Sequence, residues 1–430
     1  MIRILTVMAV GLTLALSGAI GVAQKTPTED RTAVRVDTTQ RPSGDIESQV
    51  AALEAQVRTQ PGDGRTWATL AHVYVERARL NGDPTNYDRA ERALRKAFAL
   101  NGPDDLALAG RAALSAAKHH FRSALHHAQQ ALRVNPYQAV ALAIRVDAMT
   151  ELGRYDGQRR ALAQADRRAP GSAVLTRRSY AEELRGDLAG AGRMLRKALV
   201  LARSGTDRAY LLTQLAELDR KAGQLAASER RLREATTADA RYVPAWASRA
   251  RLAVARGNLA TAERWWRKVN ASSPTFDSAL ELGETYQMSD RPALAERAFD
   301  AAADIVATEA ATGVHGELEV ATLEADHGSA REALRAARVE WSRRHSVHVA
   351  DALAWALFRD DRPLEALRYS SIATRLGTPD SQFWMHRGLI EDALGRSRAA
   401  RRHLTYALHL DPGVRPVLVA AAESALRPSG

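Results

Sequence analysis

His119-His120 and His126-His127 stand seven residues apart, and paired imidazoles on neighbouring helical turns are the most suggestive chemistry in the chain. Imidazole is the commonest side chain to hold a transition metal. Adjacent histidines on a helix, however, point about 100° apart, and no carboxylate nearby completes a ligand set. These four therefore read as surface histidines, and no metal is expected. His315, His327, His345 and His348 are more widely spread. The chain has no Cys, which removes thiolate metal sites, a cysteine nucleophile and disulfides. It carries no Gly-rich phosphate loop, no G-x-S-x-G, no H-E-x-x-H and no calcium-loop pattern. Acidic residues are plentiful, but spacing alone joins no two of them into an acid–base pair. The expectation is a protein that is not an enzyme and uses no cofactor.

The elements that would position these side chains are helices. Apolar residues make up 46% of the 430 and aromatics only 5%, and the apolar share is mostly Ala and Leu. With Arg and Glu these are strong helix formers. Stretches such as Asp88–Leu100 and Ala293–Ile305 hold no Gly or Pro, so the fold class is all-α. The formal net charge is +11, with Arg far outnumbering Lys. The charge is dispersed over many segments, which places much of it on solvated outer helix faces.

The first 44 residues differ from the rest. Met1-Ile2-Arg3 is a short positive region, Ile4–Leu16 an apolar run, and Ser17-Gly18-Ala19 and Gly21-Val22-Ala23 supply small residues. That is the layout of a signal peptide over residues 1–23, cleaved after Ala23 or Ala19. Ile4–Val22 is also nearly long enough to act as an uncleaved membrane anchor. Either way the rest of the chain is expected outside the cytoplasm. Residues 24–44 are polar and aperiodic, a flexible linker.

From Asp45 on the chain repeats itself. Gln138–Pro170 holds Leu142, Val146 and Met149, then Gly153 and Tyr155, then Leu162, Ala165 and Pro170; Ala131 and Pro136 stand 34 residues before Ala165 and Pro170. The last unit has Trp384, Gly388, Gly395, Ala400, Leu404, Ala407 and Pro412 in the same phase, and an earlier one has Trp246, Ala250, Gly257, Ala262, Trp266 and Pro274. Small residues such as Ala71, Ala112, Gly283 and Gly388 let two helices approach, and large ones such as Trp67, Phe299 and Trp384 fill the holes between neighbours. Gly153, Gly186, Gly223, Gly257 and Gly395 suit turns, and Pro136, Pro170, Pro274 and Pro412 stop second helices. The unit around Leu318–Glu340 is the weakest, recognisable mainly by Gly328. Ile46–Val57 looks like half a unit, an N-terminal cap.

In this pattern the chain resembles the tetratricopeptide repeat family, exported bacterial type, with about ten units over residues 45–426 and a short tail, 427–430. The resemblance implies a right-handed superhelical solenoid of helix–turn–helix units whose inner groove is lined by first helices. Carried onto this chain, the groove positions are the acids Asp147, Glu183, Glu217, Asp277, Glu284, Asp351 and Asp392, and the bases Arg65, Arg220 and Arg251. Tyr180, Tyr210, Trp355 and Phe358 add aromatic anchors, a type enriched at binding hot spots. Second helices hold much of the excess Arg (Arg92, Arg95, Arg159, Arg160, Arg193, Arg196, Arg230, Arg231, Arg264, Arg267, Arg401 and Arg402) on the convex side.

The function so implied is a non-enzymatic scaffold or adaptor outside the cytoplasm. Its acidic groove would hold an extended or helical segment of a partner protein, with Lys or Arg meeting the acids. The alternative is a module whose basic convex face rests on an anionic envelope or membrane surface. Export argues against a nucleic-acid partner, although charge alone would allow one.

Overall fold

The computed structural model describes residues 46–410 and 416–427. The expected signal or anchor, the linker, Pro412 and all but Arg427 of the expected tail lie outside the described residues. The described residues form helices and no strand. α1 (Ile46–Thr59) precedes ten helix pairs. They are α2 (Gly64–Asn81) with α3 (Thr85–Asn101), α4 (Asp105–Ala117) with α5 (Phe121–Val134), α6 (Ala139–Glu151) with α7 (Tyr155–Arg168), and α8 (Ser172–Glu183) with α9 (Leu188–Val200). Then come α10 (Gly205–Lys221) with α11 (Leu225–Ala238), α12 (Val243–Ala255) with α13 (Leu259–Ser272), and α14 (Phe276–Met288) with α15 (Pro292–Ala311). The last pairs are α16 (Glu317–His327) with α17 (Ala330–Arg343), α18 (Val347–Arg359) with α19 (Pro363–Ala373), and α20 (Ser381–Ala393) with α21 (Ser397–Leu410); α22 (Pro416–Leu426) follows.

Eight of the ten pairs are punctuated in the same way. Two residues ahead of the second helix the backbone is left-handed, at Gly153, Gly186, Gly223, Gly257 and Gly395, with φ between 68° and 84°. His119, Asp290 and Asp361 take that place in three other pairs, with φ of 61°, 54° and 57°. Glycine alone therefore under-counts these turns, since Asp and His tolerate the left-handed region better than most side chains. First helices start on side-chain caps: Asp63, Asp104, Ser204, Thr275, Ser346 and Asp380 each accept a backbone N–H of the first turn. Such a cap contributes about 1 kcal/mol.

Helix crossings close on small residues. A Cβ at Gly388 would lie 2.6 Å from Cγ and Cδ2 of Leu404, and one at Gly283 would lie 2.3 Å from Cε1 of Phe299. Ala90, Ala131, Ala262 and Ala407 are buried at the matching places on second helices, and Trp266 is wholly buried among them. The helices of the first pair are long: α2 runs for 18 residues to a left-handed Gly82 and α3 for 17.

The described chain divides into two compact units, one of residues 46–149 and 156–177, the other of 150–155 and 178–427. In the second unit, segments far apart in sequence are stitched together. Arg344 reaches Glu151 at 2.5 Å and also bonds Glu340, all three side chains nearly solvent-free. The Val347 N–H donates to the Tyr155 hydroxyl at 2.8 Å, and the Thr378 hydroxyl donates to the Leu184 carbonyl at 2.7 Å. Gly153 is required here, because a Cβ would lie 2.2 Å from the His345 carbonyl oxygen.

Candidate functional site

The first helices carry charges that meet one repeat apart. Arg177 on α8 grips Asp147 on α6 with two bonds, Nε–Oδ1 at 2.8 Å and Nη2–Oδ2 at 2.6 Å. Lys221 at the end of α10 bonds Glu183 of α8 at 2.7 Å. Arg251 on α12 lies 4.0 Å from Glu217 of α10 and bonds Glu281 of α14 at 2.5 Å; Arg220 adds a contact to Glu217 at 3.3 Å. Asp351 of α18 meets His386 of α20 at 3.0 Å, both fully buried. Arg65 bridges α2 to Asp105 at 3.3 Å and stays exposed. Buried charges need partners, and these pairs supply them between successive repeats. Burial pushes the Asp147 carboxyl up, against the pull of Arg177. Arg177, Lys221, Glu281 and His386 were not among the expected groove residues; opposite charges one repeat apart are the sequence signal that finds them.

Two first helices break the alternation. α14 carries Asp277, Glu281 and Glu284, and α16 carries Glu317, Glu319, Glu324 and Asp326, with no Lys or Arg on either helix. The two helices share one apolar cluster, in which Phe276, Ala279 and Leu280 pack with Leu323. The crowding of carboxylates shows in their acidities. Asp277 is pushed well up by burial and by Glu281, with Arg251 opposing. Glu319 is pushed up to about 7, chiefly by burial, and its Oε2 is buried with no hydrogen-bond partner. Glu284 lies 3.8 Å from Nε2 of His327, whose ring stacks on Phe299 at 3.9 Å. Arginines of neighbouring helices answer part of this charge: Arg251 bonds Glu281, Arg343 bonds Glu317, and Arg359 lies 3.8 Å from Asp326.

The other expected residues are placed as follows. Tyr180, Tyr210 and Trp355 are buried, so the expectation of surface anchors is corrected to packed rings. Large aromatic side chains gain most from full burial. The Tyr180 hydroxyl meets Nε2 of His348 at 3.3 Å, and burial drives that imidazole down to about 3. Trp355 stacks on His386 at 4.0 Å and donates from Nε1 to Asp326 at 2.7 Å. Phe358, half-buried, stacks on Trp355 at 5.2 Å. Asp392 is half-buried near the end of α20. Among the four clustered histidines, His119 stacks on Phe121 and Nδ1 of His127 meets Gln130. Among the described residues no three metal-ligating side chains come together.

No family model matches the sequence, and no curated protein does. Solved structures of similar fold include a tetratricopeptide repeat protein from Parabacteroides merdae, 20% identical over 59% of this chain and 98% of its own, with a TM-score of 0.35. PilF of Pseudomonas aeruginosa is 19% identical over 49% of this chain and 93% of its own, with a TM-score of 0.35. Human IFIT1, a dimer with PPP-AAAA, is 15% identical over 77% of this chain and 78% of its own, with a TM-score of 0.48. That last structure corrects one expectation. A helical repeat array holding PPP-AAAA means that this kind of fold does not exclude nucleic acid, and a net charge of +11 does not exclude it either. The small residues at the helix crossings, the left-handed turns ahead of second helices and the ten helix pairs make this chain an array of helix–turn–helix repeats, similar in fold to tetratricopeptide repeat proteins.

Proposed function

We propose that the chain is a scaffold for another protein, and that the acid-rich face of α14 and α16 receives a Lys- or Arg-bearing segment of that partner. The observation that carries this reading is the pair Asp277 and Glu319 on these two helices, which make no ion pair among the described residues and repel each other, while Glu281, Glu317 and Asp326 already meet Arg251, Arg343 and Arg359. Burial and, after it, Glu281 raise Asp277; a basic segment docked there would offset the repulsion, so binding and local stability would rise together. The remaining first-helix acids, Asp147, Glu183, Glu217, Asp351 and Asp392, take a smaller part, because the first four already face an Arg, Lys or His of the next repeat. Arg251 and Trp355 hold Glu281 and Asp326 of α14 and α16, and Arg220, Tyr180, Tyr210 and Phe358 belong to the packing of other repeats.

The test is binding of a Lys/Arg-rich peptide to the full array, followed by anisotropy. Replacing Asp277 by Asn and Glu284 by Gln keeps shape and removes charge. The pair should weaken binding several-fold and flatten its salt dependence, with helix content unchanged by circular dichroism. Equal affinity of parent and variant would refute the reading. Pull-down with the array from Asp45 on, out of an extracytoplasmic fraction, would then identify the partner. The site of action belongs with the N-terminal segment: export predicts a mature chain beginning at Gln24 or Ile20, and recovery of intact Met1 from the soluble cytosol would overturn it. The alternative expectation, a basic face on an anionic envelope surface, concerns the opposite helices and becomes an arm of the experiment below.

A further inference from the structure

The second helices of the larger unit carry a pattern that the scaffold reading does not use. In α9, α11, α13, α15, α17, α19 and α21 a small side chain is buried at the crossing with the first helix: Ala191, Ser228, Ala262, Ala295, Ala333, Ala366 and Ala400. Two residues on, every one of the seven helices has an arginine: Arg193, Arg230, Arg264, Arg297, Arg335, Arg368 and Arg402. Two residues turn a helix by about 200°, so these side chains point away from the core, and all seven are exposed. Arginine is about one residue in eight of the chain, and the position just before the row is mixed (Gly192, Glu229, Glu263, Glu296, Leu334, Leu367 and Arg401). Seven out of seven is therefore not a by-product of composition.

The row is kept available for a ligand. Glu229 and Glu263, each just before a row arginine in the chain, are engaged by Arg256 and Arg291, each at 2.7 Å. Among the described residues Arg230 and Arg297 make no ion pair. Arg193 with Asp187 at 3.5 Å and Arg335 with Glu332 at 2.7 Å form exposed pairs that a competing anion displaces at little cost. Aromatic rings flank the row. Trp265, next to Arg264, is half-buried at the edge of the Trp246 and Trp266 cluster and has Arg249 and Lys268 over its face at 5.3 and 5.2 Å. Tyr369 follows Arg368, whose guanidinium lies 5.9 Å from the ring, and Tyr406 on α21 is exposed.

We infer that this row is a docking surface for single-stranded nucleic acid, with phosphates on the guanidiniums and bases on the neighbouring rings. Guanidinium forks match phosphate oxygens, and a basic track with stacking rings is how single strands are held without sequence preference. One charge per repeat in a single file suits a linear polymer better than a plane of lipid headgroups. This surface lies on the second helices and does not depend on the acid-rich face of α14 and α16.

The experiment uses the full chain and a labelled oligothymidylate of roughly 40 nucleotides, long enough to cross seven repeats at about 10 Å each. Binding is measured by anisotropy over a salt series. Each phosphate neutralised on a single strand contributes about −0.7 to the slope of log K against log salt. The triple variant Arg230→Gln, Arg264→Gln, Arg297→Gln should therefore lose about 2 units of slope and roughly tenfold or more in affinity at moderate salt. Trp265→Ala should weaken binding with the slope intact, because stacking releases no counterions. A control with the same charge loss off the row, Arg203→Gln, Arg208→Gln, Arg241→Gln, should retain the parent slope to within a fraction of a unit. Equal losses in both triple variants would reduce the effect to net charge and overturn the proposal. Failure of the parent to bind the oligonucleotide at low salt would overturn it too. Row-dependent binding of phosphatidylglycerol vesicles without oligonucleotide binding would hand the surface to the envelope reading instead.

Discussion

Adding one methyl group at Gly388 tests whether the helix crossings set the spacing of the repeats. The Cβ of Gly388→Ala would lie 2.6 Å from both Cγ and Cδ2 of Leu404 and 3.2 Å from the Leu404 backbone nitrogen. Leu404 is wholly buried, so its side chain has no space to yield, and α20 or α21 must move. Overpacking of this kind costs about 1–3 kcal/mol. Removing a glycine from a helix interior returns about 1 kcal/mol, which leaves a net destabilisation of about 0–2 kcal/mol; Gly388→Leu should cost several. The two residues must also be coupled. Leu404→Ala alone should cost about 2–5 kcal/mol, but combined with Gly388→Ala the new methyl would occupy part of the cavity, and the losses should fall short of their sum by 1 kcal/mol or more. Urea unfolding followed by circular dichroism measures the cycle, and hydrogen exchange over α20 and α21 shows whether the loss is confined to the last pair, as nearest-neighbour stability in a repeat array requires. Thr405→Ala, exposed on α21, is the control and should change little. Additivity within about 0.5 kcal/mol, or a stabilising Gly388→Ala, would refute the packing argument.

Glu319 is held up at about 7 by burial, above its ordinary 4.5, so its contribution to stability is complete below pH 4.5 and is lost as pH rises through 7. Glu319→Gln should thus be more stable than the parent at pH 8, by about 3 kcal/mol or less, and close to it at pH 4; urea midpoints that differ equally at both pH values would contradict this. Arg344→Met removes the guanidinium that Glu151 and Glu340 share in a nearly solvent-free site, and breaking a buried pair in this way costs about 3–5 kcal/mol. Its thermal midpoint should fall by several degrees, and an unchanged midpoint would show that the stitching of residues 150–155 to the loop before α18 carries no stability.

The order of elements was legible in the sequence because the repeat encodes it locally. Ala90, Ala131 and Ala407 are wholly buried at helix crossings, and a crossing favours a small side chain in most repeats. Gly153, Gly223 and Gly395 mark turns for an equally local reason, the left-handed backbone. Where the rule was met by another residue type, the signal failed. Asp290 and Asp361 make the same turn without a glycine. In the pair α16–α17 the crossing position that is Ala in most repeats is Glu340, buried against Arg344, which is why that unit read as the weakest. The site was only partly legible. Sequence phase placed Asp277, Glu284 and Arg251 on first helices, but a sign on a helix does not say what faces it. Tertiary packing decided that Asp147 meets Arg177 and Glu183 meets Lys221, that Tyr210 and Trp355 lie inside, and that Glu151 and Arg344, 193 residues apart, share one buried site. Propensity and periodicity act over a few residues, whereas burial and charge pairing depend on which helix arrives from elsewhere in the chain.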